Sequence, residues 1–331
     1  MSQERVSISS AIFAVARPGW ETLLSVAMLT SLFTATLVRR PASEQAPGTY
    51  FIAARPGPEP AARPHFEPLV GRAARYTARS GDTTLAVARA FNTDAVTLAR
   101  LNHLTGKRLK PGQILRLPTL FILPREIQNG IVLNVPECSI YLFRKGSLVA
   151  RYPVAVGKRT WETPIGVYRL VRKVINPTWL PPQVMVEREG VSTADIGPGR
   201  NNPIGDRWMG WSAPEVGFHS TFAVQSIGHL ASHACVRMYP ESAHHMFAVV
   251  SRGMPIYSLY EPIKIGKRDG DCYLSVSPDV YRYHKLSFAL IMWRLEQLGI
   301  AGKVNRQRVR RILDVQDGYP YVIAHLDTIA E

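Results

Sequence analysis

Residues 217–238 read GFHSTFAVQSIGHLASHACVRM. This stretch sets one cysteine, Cys235, close to three histidines, His219, His229 and His233. A thiol attacks only as the thiolate. A neighbouring imidazole can take its proton, and a third group can hold that imidazole in place. His219 lies 16 residues before Cys235, a separation that a strand, a turn and a return strand bridge. Arg237 adds a positive charge that favours the thiolate. The residues alone leave other readings open: packing or surface histidines, or a zinc site. Zinc is disfavoured because His233 and Cys235, two apart, face one side of a strand with no second cysteine nearby. No metal or cofactor is expected.

Upstream the pattern is β. The segments IVLNV from Ile131, SIYLF from Ser139 and SLVARYPVAVG from Ser147 alternate apolar residues rich in Val, Ile and Tyr, with a turn at Arg144-Lys145-Gly146. Turn signals recur at Glu162-Thr163-Pro164-Ile165-Gly166 and Ile175-Asn176-Pro177. This spacing predicts a β-sandwich or mixed sheet rather than a doubly wound α/β fold. Between Asn176 and Trp211 a loop carrying Trp179, Trp208 and Trp211 reads either as a lid or as core packing. Downstream, a strand is expected over Cys272–Ser277, then a helix from Lys285 to Leu298 closed by Gly299, and a basic helix from Arg306 to Leu313. Leu286, Leu290, Trp293 and Leu298 share a predicted apolar face, and Arg306, Arg308, Arg310 and Arg311 a solvated one.

Before the β region, residues 76–118 read YTARSGDTTLAVARAFNTDAVTLARLNHLTGKRLKPGQILRLP. Asp82 or Thr83 caps a helix running through Phe91, and Thr93 or Asp94 caps a second over Ala95–Leu101. Lys110-Pro111-Gly112 turns into a strand over Gln113–Leu117. This βααβ pattern resembles a LysM domain, through Ser80-Gly81-Asp82-Thr83, Ala88 with Phe91, Leu98 with Leu101-Asn102, and Leu109-Lys110-Pro111-Gly112-Gln113. The resemblance implies binding of N-acetylglucosamine polymers, with Gly81, Asp82, Thr83 and Asn102 as glycan-site candidates.

Residues 131–264 resemble the catalytic domain of the L,D-transpeptidases, the YkuD-like family. The matching pieces are His219-Ser220-Thr221 and Ser232-His233-Ala234-Cys235-Val236-Arg237, with Thr163-Pro164-Ile165-Gly166, Asn176-Pro177-Thr178-Trp179 and Asn202-Pro203-Ile204-Gly205 upstream. The resemblance implies Cys235 as nucleophile, His219 as base and the Ser220 carbonyl as its orienting group. It also implies an oxyanion hole from the Ala234 and Cys235 amides, and a pocket shaped by His233 and Arg237 that binds a substrate carboxylate. Ser232, Thr221, Trp179 and Trp211 join the candidate substrate contacts. The implied reaction is acyl transfer from a peptidoglycan tetrapeptide stem through a thioester to an amine, forming 3→3 cross-links or attaching a lipoprotein; water as acceptor gives a carboxypeptidase. One departure stands out: Ala234 occupies a position where the family usually has glycine. If φ there is positive, alanine costs about 1 kcal/mol or more, and the alternative is a weak or inactive wall-binding protein.

The 331 residues carry 40 Lys+Arg against 25 Asp+Glu, a balance that fits an anionic partner, but no nucleic-acid motif accompanies it. The hydrophobic share of 46% excludes disorder throughout. Residues 22–38, TLLSVAMLTSLFTATLV, are free of charge between flanking arginines. They are short against the roughly 20 apolar residues of a spanning helix, and point to export or membrane anchoring. Seven prolines over residues 41–68 suggest an extended tether. The expected organisation is a signal peptide or anchor (1–40), a proline-rich linker (41–75), the LysM domain (76–118), the mainly-β catalytic domain (128–264) and a small C-terminal domain, α/β or mostly helical (265–331), located in the cell envelope or periplasm. Cys138 and Cys272 are read either as a disulfide or as buried thiols.

Overall fold

The computed structural model describes residues 65–124 and 127–326; the apolar stretch 22–38 and residues 41–64 of the proline-rich tether lie outside them. Among the described residues no helix is long and apolar enough to cross a membrane.

The region over residues 130–259 is a sheet of nine strands among the described residues. Its apolar alternation drives the fold: Ile131, Leu133, Ile140, Leu142, Val154 and Val156 point to one core shared with Phe218, Val236 and Met238. The 11-residue strand Ser147–Gly157 pairs with Ser139–Arg144 through its first half and with Val236–Met238 through its second. The sheet therefore returns on itself, closing a mostly antiparallel layer around the core. At its centre, Gly217–Ser220 runs parallel to Val236–Met238 and antiparallel to Arg207–Trp211. The segment between Ile175 and Arg207 contains a short helix, Gln183–Glu189, ended by Gly190 at φ +64°, which the expected loop lacks.

The 76–118 module has two short helices, Thr84–Ala90 and Ala95–Leu101, capped by the side chains of Thr83 and Asp94. They pack over the paired strands Ala74–Thr77 and Ile114–Leu117. The module is docked, not dangling. Arg89 makes a bidentate bond to Glu241 at 3.0 and 2.9 Å and lies over the Tyr239 ring. The Asn92 amide donates to the Arg151 carbonyl at 2.6 Å. Gly228, at φ +88°, lets the backbone come so near Asp94 that an added Cβ would lie 2.3 Å from its Oδ1. Leu85 joins Ala155, Ile227 and Tyr239 in a shared apolar cluster.

The C-terminal region differs most from expectation. It is a five-stranded sheet carrying two helices, Phe288–Gln297 and Arg306–Val315, and so follows the α/β alternative rather than the mostly helical one. Its strands come from three parts of the chain. Glu67–Gly71 lies between Ile263–Arg268 and Leu120–Ile122, with Asp271–Val276 and Tyr321–His325 beyond. The tether therefore ends by residue 67: Pro68 sits next to the start of its strand, where a missing N–H is tolerated, and its carbonyl accepts from the Leu123 amide. Ile291 and Leu295 are the fully buried positions of the first helix, while Trp293 is 56% exposed. The helix runs Phe288–Gln297 behind the Ser287 cap rather than from Lys285 to Leu298, so Leu286 and Leu298 lie outside it and the buried face runs through Ile291 and Leu295 instead. Cys138 and Cys272 are unpaired buried thiols in two different cores, so the disulfide alternative falls.

Candidate active site

Phe218 pairs with Val236 and His219 with Arg237 across the parallel strands. Paired residues and residues two apart share a face of a sheet, so His219 and Arg237 share theirs, and Cys235, at the entry to its strand, lies beside them. The Arg237 charge acts on both Cys235 and His219. Trp208, opposite His219 on the other neighbouring strand, stacks on the imidazole with ring centroids 6.0 Å apart. Trp208 is thus a strand residue flanking the histidine, not part of a lid.

His219 is 3% exposed. Its Nδ1 lies 2.8 Å from the Ser220 carbonyl. A carbonyl only accepts, so Nδ1 carries the hydrogen and Nε2 keeps its lone pair. Burial pushes the imidazole down to about 4; the Ser220 carbonyl opposes this and Arg237 adds to it. The Cys235 thiol donates to the Glu215 carbonyl at 3.3 Å. Burial pushes it up to about 11, against the pull of the Gly217 amide and Arg237. Thiol and imidazole are therefore both neutral at rest near pH 7. The Nε of Arg237 is buried without a hydrogen-bond partner among the described residues, which leaves a donor beside the sulfur for a ligand to meet.

Ala234 adopts φ +69°, the left-handed region that favours glycine. Two hydrogen bonds grip it: its amide donates to the Trp161 carbonyl at 3.0 Å and its carbonyl accepts from the Thr163 hydroxyl at 2.8 Å. The expected oxyanion role of the Ala234 amide is therefore corrected, because that hydrogen is engaged elsewhere. Thr163 is braced in turn. Its hydroxyl accepts from the Gly157 amide at 2.9 Å, and its own amide donates to the Tyr281 hydroxyl at 3.0 Å. Tyr281 lies in the C-terminal segment, and no pattern in the sequence pointed to it.

Other expected contacts also move. The Ser232 hydroxyl donates to the Cys235 carbonyl, and Ser232 is buried, so it holds the turn rather than a ligand. The Thr221 hydroxyl accepts from the Ala223 amide at 3.2 Å within its own turn. Trp211 is 3% exposed between Tyr168 and Phe218, in the core. Trp179 stays on the covering segment, in a two-way backbone bridge with Ile196. His233 is already occupied: its Nε2 contacts both carboxylate oxygens of Glu189 at 2.9 and 2.8 Å, with Lys158 and the Trp161 indole also on Glu189. A substrate carboxylate would have to displace Glu189 to reach it. In the small module, Asn102 spends its amide on the Leu98 carbonyl and on both backbone groups of Arg116. Asp82 accepts from the Tyr76 hydroxyl and the Arg79 amide, and Thr83 caps a helix. These three do structural work, while Gly81, at φ +85°, stays exposed at the turn.

A thiol, an imidazole with a free Nε2 and a guanidinium on one face of a sheet are the groups that cysteine-dependent acyl transfer uses. Residues 128–257 match the family model of the L,D-transpeptidase catalytic domain and residues 76–118 that of the LysM domain. The chain thus contains an L,D-transpeptidase catalytic domain preceded by a LysM domain. Similar proteins include the probable L,D-transpeptidase YbiS of Escherichia coli K12, 32% identical over 178 residues, covering 50% of this chain and 56% of YbiS. The probable L,D-transpeptidase YcfS of the same strain is 24% identical, covering 72% of this chain and 80% of YcfS. The putative L,D-transpeptidase YkuD of Bacillus licheniformis is 26% identical, covering 54% of this chain and 94% of that protein. The chain spans about half the length of YbiS.

Proposed function

We propose that the protein is a peptidoglycan L,D-transpeptidase in which Cys235 is the nucleophile and His219 the base. The observation that carries this is the shared face of Cys235, His219 and Arg237, with the imidazole tautomer set by the Ser220 carbonyl so that Nε2 is free to accept a proton. Because both groups rest neutral, the thiol proton passes to Nε2 as the sulfur attacks the carbonyl of the third stem residue. The developing oxyanion then takes its hydrogen bond from the Cys235 amide. His219 returns the proton to the departing D-alanine, leaving a thioester. A stem amine takes up the acyl group to form a 3→3 cross-link, or a lipoprotein amine does so to fix that protein to the wall. The buried, unpartnered Nε of Arg237 suits a stem carboxylate. The left-handed turn persists with alanine at position 234, which favours the active over the inactive alternative.

The LysM domain would hold the glycan. Docking covers the face bearing Leu85, Arg89 and Asn92 and leaves Arg79–Gly81 and most of residues 103–108 exposed for a polymer. We place the protein in the cell envelope, with residues 22–38 as its export or membrane-anchoring segment.

Incubating purified protein with disaccharide-tetrapeptide and reading masses tests the assignment. D-alanine loss and cross-linked dimers are expected from the wild type, and neither from Cys235→Ala. Equal product from the two proteins removes the assignment.

A further inference from the structure

Next to the imidazole, at its Nδ1, Ser220 is held in a way its backbone role does not require. Its carbonyl accepts from His219, but its hydroxyl makes three further contacts. It donates to Oδ1 of Asp206 at 2.6 Å and accepts from the amides of Asp206 and Arg207 at 2.8 and 3.2 Å. Ser220 is 1% exposed. The turn carrying Asp206 closes on it through Gly205, at φ +61°, where an added Cβ would lie 2.3 Å from the Ser220 hydroxyl and 2.7 Å from its carbonyl oxygen. The other carboxylate oxygen of Asp206 is held by Nε2 of His244 at 2.6 Å and by the Arg207 guanidinium at 3.3 Å. His244 stands on the helix Pro240–Val249. One carboxylate thus ties a turn, a helix and the Ser220 side chain together, one hydrogen bond behind the carbonyl that selects the His219 tautomer.

We propose that Asp206 is a positioning residue for His219, acting through Ser220: its hold on the Ser220 hydroxyl joins the bond from the Thr221 amide to the Met238 carbonyl, at 3.1 Å, in fixing the plane of that peptide group, and so helps aim the carbonyl that holds Nδ1–H. This rests on the assignment of His219 as the base. Asp206 touches no reacting atom. Its effect is geometric, since an acceptor that rotates out of line with Nδ1–H weakens steeply as a partner and frees the imidazole to turn or to change tautomer. His244 and Arg207 are the charged or titratable side chains seen on the carboxylate. They steady it from outside and leave Oδ1 to Ser220.

A double-mutant cycle reads this directly, because two residues acting through one hydrogen bond are not additive. The rate of D-alanine release is measured with Ser220→Ala, Asp206→Ala and the double variant. Each single variant is expected to lose about tenfold in kcat with KM within about twofold, and the double to lose no more than either. Asp206→Asn keeps an acceptor for the hydroxyl and is expected to stay within about threefold of wild type. Multiplied losses in the double variant, or unchanged kcat in both singles beside lowered melting temperatures, overturn the proposal. Nitrogen NMR of His219 gives a readout independent of turnover: one Nδ1–H tautomer in the wild type and a mixture in Asp206→Ala. The same single tautomer in both sinks the positioning role even if the wild type proves inactive, whereas a wild type with no product but a shifted tautomer in the variant sinks only the assigned reaction.

Discussion

The two halves of the candidate site are held by opposite means. On the histidine side, regular strands place His219, and the left-handed backbone behind it falls on Gly205, where φ is +61°. On the cysteine side, the left-handed conformation falls on an alanine, Ala234, at φ +69°. Hydrogen bonds from the Trp161–Thr163 segment, itself braced by Tyr281, keep that turn in place. Backbone strain appears where Cys235 projects from a strand entry, and not where His219 sits inside a ladder. Strain of this kind lasts only where the surroundings over-determine it. His219 is therefore placed by its own strand, and Cys235 by distant parts of the chain.

The largest expected contrast is in acid. His219 is buried with a folded pKa of about 4, against about 6.5 when unfolded. A depressed value contributes stability above pH 6.5 that is lost as the pH falls through 4, on the order of 3 kcal/mol. Urea midpoints followed from pH 7 to 4 should fall more steeply for wild type than for His219→Asn; parallel curves would contradict burial of the neutral imidazole. Next in size is Thr163→Val. It keeps shape but strips partners from the buried Gly157 amide and the Ala234 carbonyl, at a cost of about 1–3 kcal/mol. It is expected to slow acylation of Cys235 by a β-lactam probe while leaving the His219 tautomer alone. A tautomer change in this variant would mean the two halves are one unit. Smallest is Ala234→Gly. Relief of the left-handed alanine, less the greater freedom of glycine in the unfolded chain, should stabilise by about 0.5–1 kcal/mol, seen as a higher denaturant midpoint. A loss of stability would mean the Ala234 methyl packs usefully.

Much of the site was legible in the sequence because its markers are local. His219-Ser220 and Ser232–Arg237 lie within 19 residues, and period-two alternation on either side announces strands. The module over residues 76–118 was legible for the same reason: its caps and turns are short-range, and Thr83 and Asp94 cap the helices as their side-chain chemistry predicts. What failed was assignment by residue type. Asn102, Ser232 and Thr221 are polar and suit ligands, yet each is spent on a backbone group next to it in the fold. Trp211 had two readings, and only its neighbours Tyr168 and Phe218 decide for the core.

By itself the sequence determined the β character of residues 131–264, the helices and caps of the small module, and the candidate thiol, imidazole and guanidinium. Each depends on interactions within a few residues. Only the tertiary structure decided that Glu67–Gly71 completes a sheet with strands some 200 residues away, that Tyr281 braces the turn before Cys235, that Glu189 occupies His233, and that Asp206 holds the Ser220 hydroxyl next to His219. These contacts join segments with no shared periodicity, and a hydrogen bond between distant parts of a chain leaves no pattern in either part.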